Sequence, residues 1–303
     1  MSIKPIINVL KKLSEKDFRI LNAVERGMAH HMYVPIETIS RLSKLNPDEV
    51  ETSLKKLNIM GLVQRMKGAY IGFILTSRGY DCLALRVLRL RGVIESISAS
   101  PIGVGKESDV YLGLTPAGKK VAVKIHRVGR TSFRQTRRVR SYIGERRHIS
   151  WLYQSRLAAK NEYEALKTLN PAGVLVPKPI DWNRHIVITE YYEGVELFRT
   201  PELRDPMSVK EEIIEEVFKA YKNNIIHGDL SEYNILILKD DKILIFDWPQ
   251  WISSSHPSSI MYLKRDLRNI ISFFMRKYHI RTNIENEVMI SLKRQRIGEV
   301  TYY

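Results

Sequence analysis

Cysteine is nearly absent: Cys82 is the only one in 303 residues. A lone cysteine excludes an internal disulfide and a cysteine-built metal centre, and its apolar surroundings predict an inert, packed thiol. No apolar run approaches the ~20 residues of a membrane-spanning helix, and the N-terminus lacks a signal-peptide core. A cytoplasmic location is therefore expected, with no membrane partner. Acidic residues are also outnumbered, 33 Asp and Glu against 49 Lys and Arg, for a formal net charge of +16. Such an excess attracts polyanions, with nucleic acid or a ribonucleoprotein first among them. What remains is ordinary for a globular protein, 44% hydrophobic and 27% charged. The length suits two domains, each able to bury a core.

The charge is concentrated. Residues 1–90 carry 15 Lys and Arg against 8 Asp and Glu, and residues 126–150 carry 8 Arg against Glu145 alone. In the first of these stretches, Ser14 with Asp17 marks a helix start leading into Phe18, Leu21, Val24 and Met28 at helical spacing. A second short helix fits Ile36 to Leu45. Asn46 as N-cap, Pro47 and Glu49 open a third, with Val50, Leu54 and Leu57 as its buried stripe. Leu62 to Met66 and Tyr70 to Leu75 then alternate as strands around Lys67-Gly68-Ala69, and a last helix runs from about Ser77 to Arg91. Helices followed by a hairpin describe a winged helix. Asp48, Glu49 and Glu51 at the start of the third helix argue against base-specific readout, while Lys55, Lys56, Arg65 and Lys67 are placed to meet phosphates. His30-His31 fits the end of a helix rather than a metal site, since no third ligand is spaced nearby.

From Gly92 the pattern turns to strands. Gly103 and Gly105, within Gly103-Val104-Gly105-Lys106-Glu107-Ser108, would admit phosphate oxygens to backbone amides, with the Ser108 hydroxyl beside them. Val121-Ala122-Val123-Lys124 is a strand ending in the lysine that grips phosphates. Leu157 to Leu169 is helical, and Glu162 or Glu164 would pair with Lys124. Val174-Leu175-Val176 and His185 to Glu190 read as further strands. Tyr191-Tyr192-Glu193-Gly194 then leaves the sheet as a hinge does, and a helix from about Ser208 to Asn224 leads to His227. The stretch His227-Gly228-Asp229-Leu230-Ser231-Glu232-Tyr233-Asn234, followed by Ile245-Phe246-Asp247, is a phosphoryl-transfer layout. Asp229 would orient or deprotonate the attacking oxygen. Asn234 and Asp247 would hold magnesium with hard oxygen ligands. The apolar runs Ile235 to Leu238 and Ile243 to Phe246, joined by Lys239-Asp240-Asp241-Lys242, form the hairpin that brings both to one cleft.

With these motifs in hand, the chain resembles the RIO family of atypical serine/threonine kinases, in the subfamily that carries an N-terminal winged helix. The resemblance rests on Gly103 to Tyr111, His227 to Asn234 and Asp247-Trp248-Pro249-Gln250, and it covers nearly the whole chain. It implies an α+β fold: a winged helix over 1–91, then a trimmed two-lobed kinase-like domain over 92–303. Within that domain the N-lobe spans about 92–189, the hinge 190–194 and the C-lobe 195–303. It also implies ATP and Mg2+ as cofactors, with Mn2+ a substitute. Lys124, Asp229 and Asp247 become the catalytic set, and Asn234 and Asp247 the metal ligands. Gly103, Val104, Gly105, Lys106, Glu107, Ser108, Lys124, Glu162, Glu190 and Tyr192 become the nucleotide site. The family's usual Phe is replaced by Trp248, a change expected to spare metal binding.

The subfamily further implies an ATP-driven switch in small ribosomal subunit maturation. Precursor ribosomal RNA and proteins would be met through the winged helix and the segment 127–147, with self-phosphorylation at Thr131 or Ser132. Gly228 stands where ordinary protein kinases have Arg, and Trp248-Pro249 where they have Phe-Gly. The 56 residues after Asp247 leave room for two helices but not for a peptide-docking platform. An aspartyl-phosphate ATPase route through Asp247 uses the same residues as hydroxyl phosphorylation. Two other functions compete. Aminoglycoside- and choline-kinase-type phosphotransferases share His-Gly-Asp and Asp-Trp, but the short, basic C-terminal remainder does not match their acidic helical lobe. A non-catalytic winged-helix regulator would need broken catalytic positions, and Lys124, Asp229, Asn234 and Asp247 are all intact.

Overall fold

The computed structural model describes residues 4–68, 70–129, 151–280 and 282–300. They form two compact units, the first over 4–129, 151–156 and 181–186, the second over 157–180 and 187–300. Thr131, Ser132 and all but the start of the segment 127–147 lie outside the described residues.

The first unit begins with α1 (Lys4–Leu10), α2 (Glu15–Gly27), α3 (Ile36–Ser43) and α4 (Pro47–Ile59). Both expected capping boxes are formed: the Ser14 side chain accepts from the Asp17 amide and the Asn46 side chain from the Glu49 amide, each bond reciprocated by the acid. The predicted stripes are the core, with Phe18, Leu21, Val24, Val50, Leu54 and Leu57 all buried. Strands β2 (Val63–Lys67) and β3 (Ile71–Leu75) make the antiparallel wing, in register from Val63 opposite Leu75 to Lys67 opposite Ile71. A two-residue strand, β1 (Val34–Pro35), pairs with β3. It is too short for alternation to reveal. The domain closes with α5 (Ser77–Leu90), capped by Thr76. Cys82 is buried there, and burial pushes its thiol up to about 12.

The same unit continues through β4 (Ser96–Ile97), β5 (Gly103–Val104), β6 (Ser108–Leu114) and β7 (Lys120–His126). With β8 (Pro179–Asn183) and β9 (Ile186–Glu190) they form a sheet in the order β4-β6-β7-β9-β8, β5 pairing with β6. Tyr111, Val121, Val123 and Ile125 pack one face. Trp182 lies within β8.

Helix α6 (Trp151–Leu169) starts ahead of the expected Leu157. In the second unit, Val174 to Val176 is not a strand. The Leu175 amide donates to Glu216 Oε2 at 2.7 Å, and its carbonyl receives one bond, from Ile245 N at 2.8 Å. The Val176 amide donates to the Val174 carbonyl at 2.8 Å, so the chain turns at Leu175 instead of running on as a ladder strand. After Gly194, β10 (Val195–Glu196), β11 (Ile235–Ile237) and β12 (Ile243–Ile245) form a three-stranded sheet. Gly194 is required there, because a Cβ would lie 2.6 Å from the Ile237 carbonyl. Three helices complete the unit: α7 (Pro206–Lys222), capped by Asp205 rather than opening at Ser208, α8 (Ser259–Tyr278) and α9 (Ile284–Val300). The last two match the pair expected after Asp247.

Candidate active site

In the first unit, strand register aligns the glycine turn with the lysine. Gly103 pairs with Val110, and Val110 with Lys124. Directly opposed residues share a face, and two strand spacings of about 4.8 Å put Gly103 and Lys124 about 10 Å apart, within reach of a long side chain. Lys124 and Ser108 are half-buried on that face, whereas Val104 and Lys106 are exposed. A Cβ on Gly103 would touch only Val110, at 3.8 Å, and one on Gly105 only Ser108, at 3.5 Å or more. Packing does not demand glycine at either place. The Gly105 amide itself closes the turn, donating to the Ser108 carbonyl at 2.8 Å, so that group is not the one offered to a phosphate.

The turn has an anchor that sequence patterns did not disclose. The Arg127 amide donates to the Glu107 carbonyl at 2.6 Å, and its guanidinium bonds both oxygens of Asp81 on α5, at 2.6 and 2.8 Å. His185 Nε2 meets the same carboxylate at 2.7 Å. Burial opposes charge on Asp81, but His185 and Arg127 hold its carboxyl below the usual carboxylate range.

In the second unit, the β11–β12 hairpin pairs Ile235 with Ile245, and the Phe246 amide donates to the Asn234 carbonyl at 2.9 Å. Asn234 and Asp247 therefore sit at the open end of one hairpin, as expected. Asp247 has φ +70°, a left-handed conformation that asparagine and aspartate tolerate at a cost of order 1 kcal/mol. Behind it Trp248 is buried, its Nε1–H donating to the Ile245 carbonyl at 3.0 Å and its ring 4.5 Å from His227. Ser231 Oγ donates to Asn234 Oδ1 at 2.9 Å and orients that amide. The donor set suits magnesium. Two hard oxygen ligands from the chain leave the remaining positions to phosphate oxygens and water, which is how that ion is commonly held. Among the described residues no three His, Cys, Asp or Glu side chains form a self-sufficient cage.

Asp229 is exposed between buried Gly228 and Leu230, and α8 fixes the backbone on both sides of it. Asp266 accepts from the Gly228 amide at 2.8 Å and the Leu230 amide at 3.1 Å. Arg265 donates to the Gly228 carbonyl, and Asn269 Nδ2 to the Leu230 carbonyl at 2.9 Å. All four backbone polar groups flanking Asp229 are thus taken. Burial, with the Asp229 charge adding to it, pushes the Asp266 carboxyl up to about 7, against the pull of the two amides. Gly228 explains the missing arginine: its φ is +77°, and a Cβ would lie 2.9 Å from the Gln250 carbonyl. Nothing in the spacing of Arg265, Asp266 and Asn269 distinguishes them from an ordinary polar helix edge, so sequence reasoning missed them.

Glu162 is buried within α6. Glu190 ends β9, its amide donating to the Lys178 carbonyl at 3.0 Å and its carboxylate 3.4 Å from Lys178 Nζ. The Lys178 amide in turn reaches the Tyr192 hydroxyl at 3.4 Å, so Lys178 braces both Glu190 and Tyr192.

The family model described as "RIO domain" matches residues 109–287, and that described as "Rio2, N-terminal" matches 10–91. The serine/threonine-protein kinase rio2 of Schizosaccharomyces pombe is 37% identical over 92% of this chain and 81% of its own. The RIO-type serine/threonine-protein kinase Rio2 of Methanocaldococcus jannaschii is 43% identical over 84% of this chain and 93% of its own. A crystal structure of the Rio2 kinase from Chaetomium thermophilum, described as an ADP/Mg2+-phosphoaspartate complex, superposes with a TM-score of 0.80. It is 35% identical and covers 91% of this chain and 84% of that one.

Proposed function

The chain belongs to the RIO family of serine/threonine kinases, on its Rio2 branch, and from that premise we propose that it transfers phosphate from ATP in a Mg2+-dependent reaction serving as an assembly switch. The observation that carries the reading is the exposed Asp229 carboxylate on a backbone whose flanking polar groups are all held by α8. A base so held is ready to accept a hydroxyl proton without reorganising. Asn234 and Asp247 hold the metal, which when bound neutralises the charge that develops on the transferring phosphoryl group. Lys124 grips the phosphates beneath Gly103 to Ser108, and Glu190 with Tyr192 borders the adenine. The winged helix over 1–91 and the basic segment 127–147, apart from Arg127 itself, meet precursor small-subunit RNA and proteins by phosphate contacts. A cytoplasmic location accompanies that role, and self-phosphorylation falls on Thr131 or Ser132.

A second reading has a specific ground, the phosphoaspartate in the description of the Chaetomium relative. In it an Asp247 oxygen attacks the terminal phosphorus, the bond to ADP breaks, and water then releases phosphate from the acyl phosphate. One experiment separates the two: incubate the protein with terminally labelled ATP and Mg2+, with Asp229→Ala and Asp247→Ala as controls, and test bound label with hydroxylamine. Acid-stable label on Ser or Thr, reduced about 10²–10⁴-fold by Asp229→Ala, supports hydroxyl transfer. Hydroxylamine-labile label with continuous phosphate release, lost in Asp247→Ala, supports the ATPase route. No label and no turnover would refute both.

A further inference from the structure

Among the described residues, four basic side chains of the winged helix find no hydrogen-bond or ion-pair partner. Arg26 closes α2, His30 and His31 follow it, and Arg41 lies in the last turn of α3. With Thr38 they line a cleft of about 370 Å³ to which no Asp or Glu contributes. Among the described residues none of the four makes a side-chain hydrogen bond or ion pair, although Arg26, His30 and Arg41 are exposed. The nearest acids do not compensate them. Glu25, beside Arg26, is held by Arg184 at 2.6 Å and Arg156 at 3.6 Å. Glu37 is exposed one turn before Arg41 and is not paired with it.

Helix α4, the one that sequence nominated for phosphate contact, is in the opposite state. Lys56 is bound by Asp17 at 2.6 Å and Lys55 by Glu51 at 2.9 Å, while Glu49 takes Lys16. Unanswered positive charge has moved from the third helix to the α2–α3 cleft. Arg26 and Arg41 each complement the dipole of their own helix, but that surface role calls for neither the two imidazoles nor a shared concave wall.

We propose that the α2–α3 cleft binds backbone phosphates of RNA through Arg26, His30, His31 and Arg41, which rests on the RNA-binding reading above and gives it a place. Two guanidinium groups and two ring N–H donors around a hydroxyl match the acceptors of a phosphodiester. An exposed cation gains little from one small anion. A strand presenting several phosphates collects such contacts together and releases condensed counterions. This favours a polyanion over free phosphate.

The test is fluorescence anisotropy of the full chain with a short labelled single-stranded RNA of mixed sequence, across a salt titration. Arg26→Gln with Arg41→Gln should lower the slope of log K against log salt by about 1.4, ~0.7 per phosphate contact, and each single variant by half that. If wild type and double variant converge near ~1 M salt, this is about 25-fold weaker binding at ~0.1 M. Glu37→Gln should strengthen binding, and Lys222→Gln, exposed on α7, should change nothing. Circular dichroism and the urea midpoint check that each variant folds. RNA binding with an unchanged slope in the double and single variants would overturn the cleft and leave the RNA reading standing. No RNA binding by wild type would overturn both. Displacement of the RNA by inorganic phosphate far beyond chloride of equal ionic strength would make this a free-phosphate site and overturn the proposal.

Discussion

Replacing Asp266 by Asn separates two consequences of one buried carboxylate. The Asp266 carboxyl rises from 3.8 to about 7 on folding, chiefly by burial, which at 1.36 kcal/mol per pH unit is about 4 kcal/mol against the ionised form. The folded-state value lies above the unfolded one, so between them the native state holds the extra proton. The stability this group contributes is full below pH ~4 and is lost as pH rises through ~7. Asparagine keeps one carbonyl for one amide and turns an NH2 towards the other, leaving a buried donor unmet at about 1–3 kcal/mol. It does not titrate, so its deficit is constant. The stability of Asp266→Asn relative to wild type should therefore improve by about 3 kcal/mol between pH 5 and pH 8. Urea unfolding at four pH values across that span would measure it. Turnover should move the other way, because freeing one amide beside Asp229 shifts the base, and a misplacement of about 1 Å costs on the order of 10²-fold. A stability difference that is flat with pH would refute the burial reasoning. Turnover at the wild-type level would refute the clamp.

Three further changes test the surrounding geometry. Gly228→Ala forces a side chain into φ +77° with its Cβ 2.9 Å from the Gln250 carbonyl, so unfolding free energy should fall by about 1–3 kcal/mol, with activity falling more than stability. Asp81→Ala strands Arg127 and His185 and should cost about 3–5 kcal/mol by chemical denaturation. The depressed carboxyl of Asp81 gives wild-type stability that is present above pH ~4 and lost as pH falls. Asp81→Ala should lose that acid limb, so its deficit shrinks as pH drops. Trp248→Phe removes the bond to the Ile245 carbonyl and should lower stability by about 1–3 kcal/mol, with ATP turnover nearly unchanged because Asp247 keeps its backbone.

The elements most legible in the sequence were those specified by neighbours along the chain. Ser14 to Asp17 and Asn46 to Glu49 form their capping boxes within three residues, and the stripes Phe18-Leu21-Val24 and Val50-Leu54-Leu57 need only helical periodicity. The hairpin carrying Asn234 and Asp247 was equally plain, since two apolar runs and a polar turn fix its register locally. Where local pattern and structure parted, a distant group had intervened. Val174 to Val176 resembles a strand, but Glu216 takes the amide a neighbouring strand would need. Lys56 resembles a phosphate ligand, but Asp17, 39 residues away in sequence, holds it.

Sequence alone determined the kinds of residue and their order: the glycine turn, the strand lysine, Asp229, Asn234 and Asp247, each announced by spacing within a short stretch. Tertiary structure decided what holds them and which charges remain available. Asp266 lies 36 residues beyond Leu230 and Asp81 lies 46 before Arg127. A carboxylate in an amphipathic helix looks the same in sequence whether it faces water or a buried amide. Its role comes from the desolvation and hydrogen bonding that folding imposes, and these are set by contacts between segments whose separation along the chain carries no periodic signal.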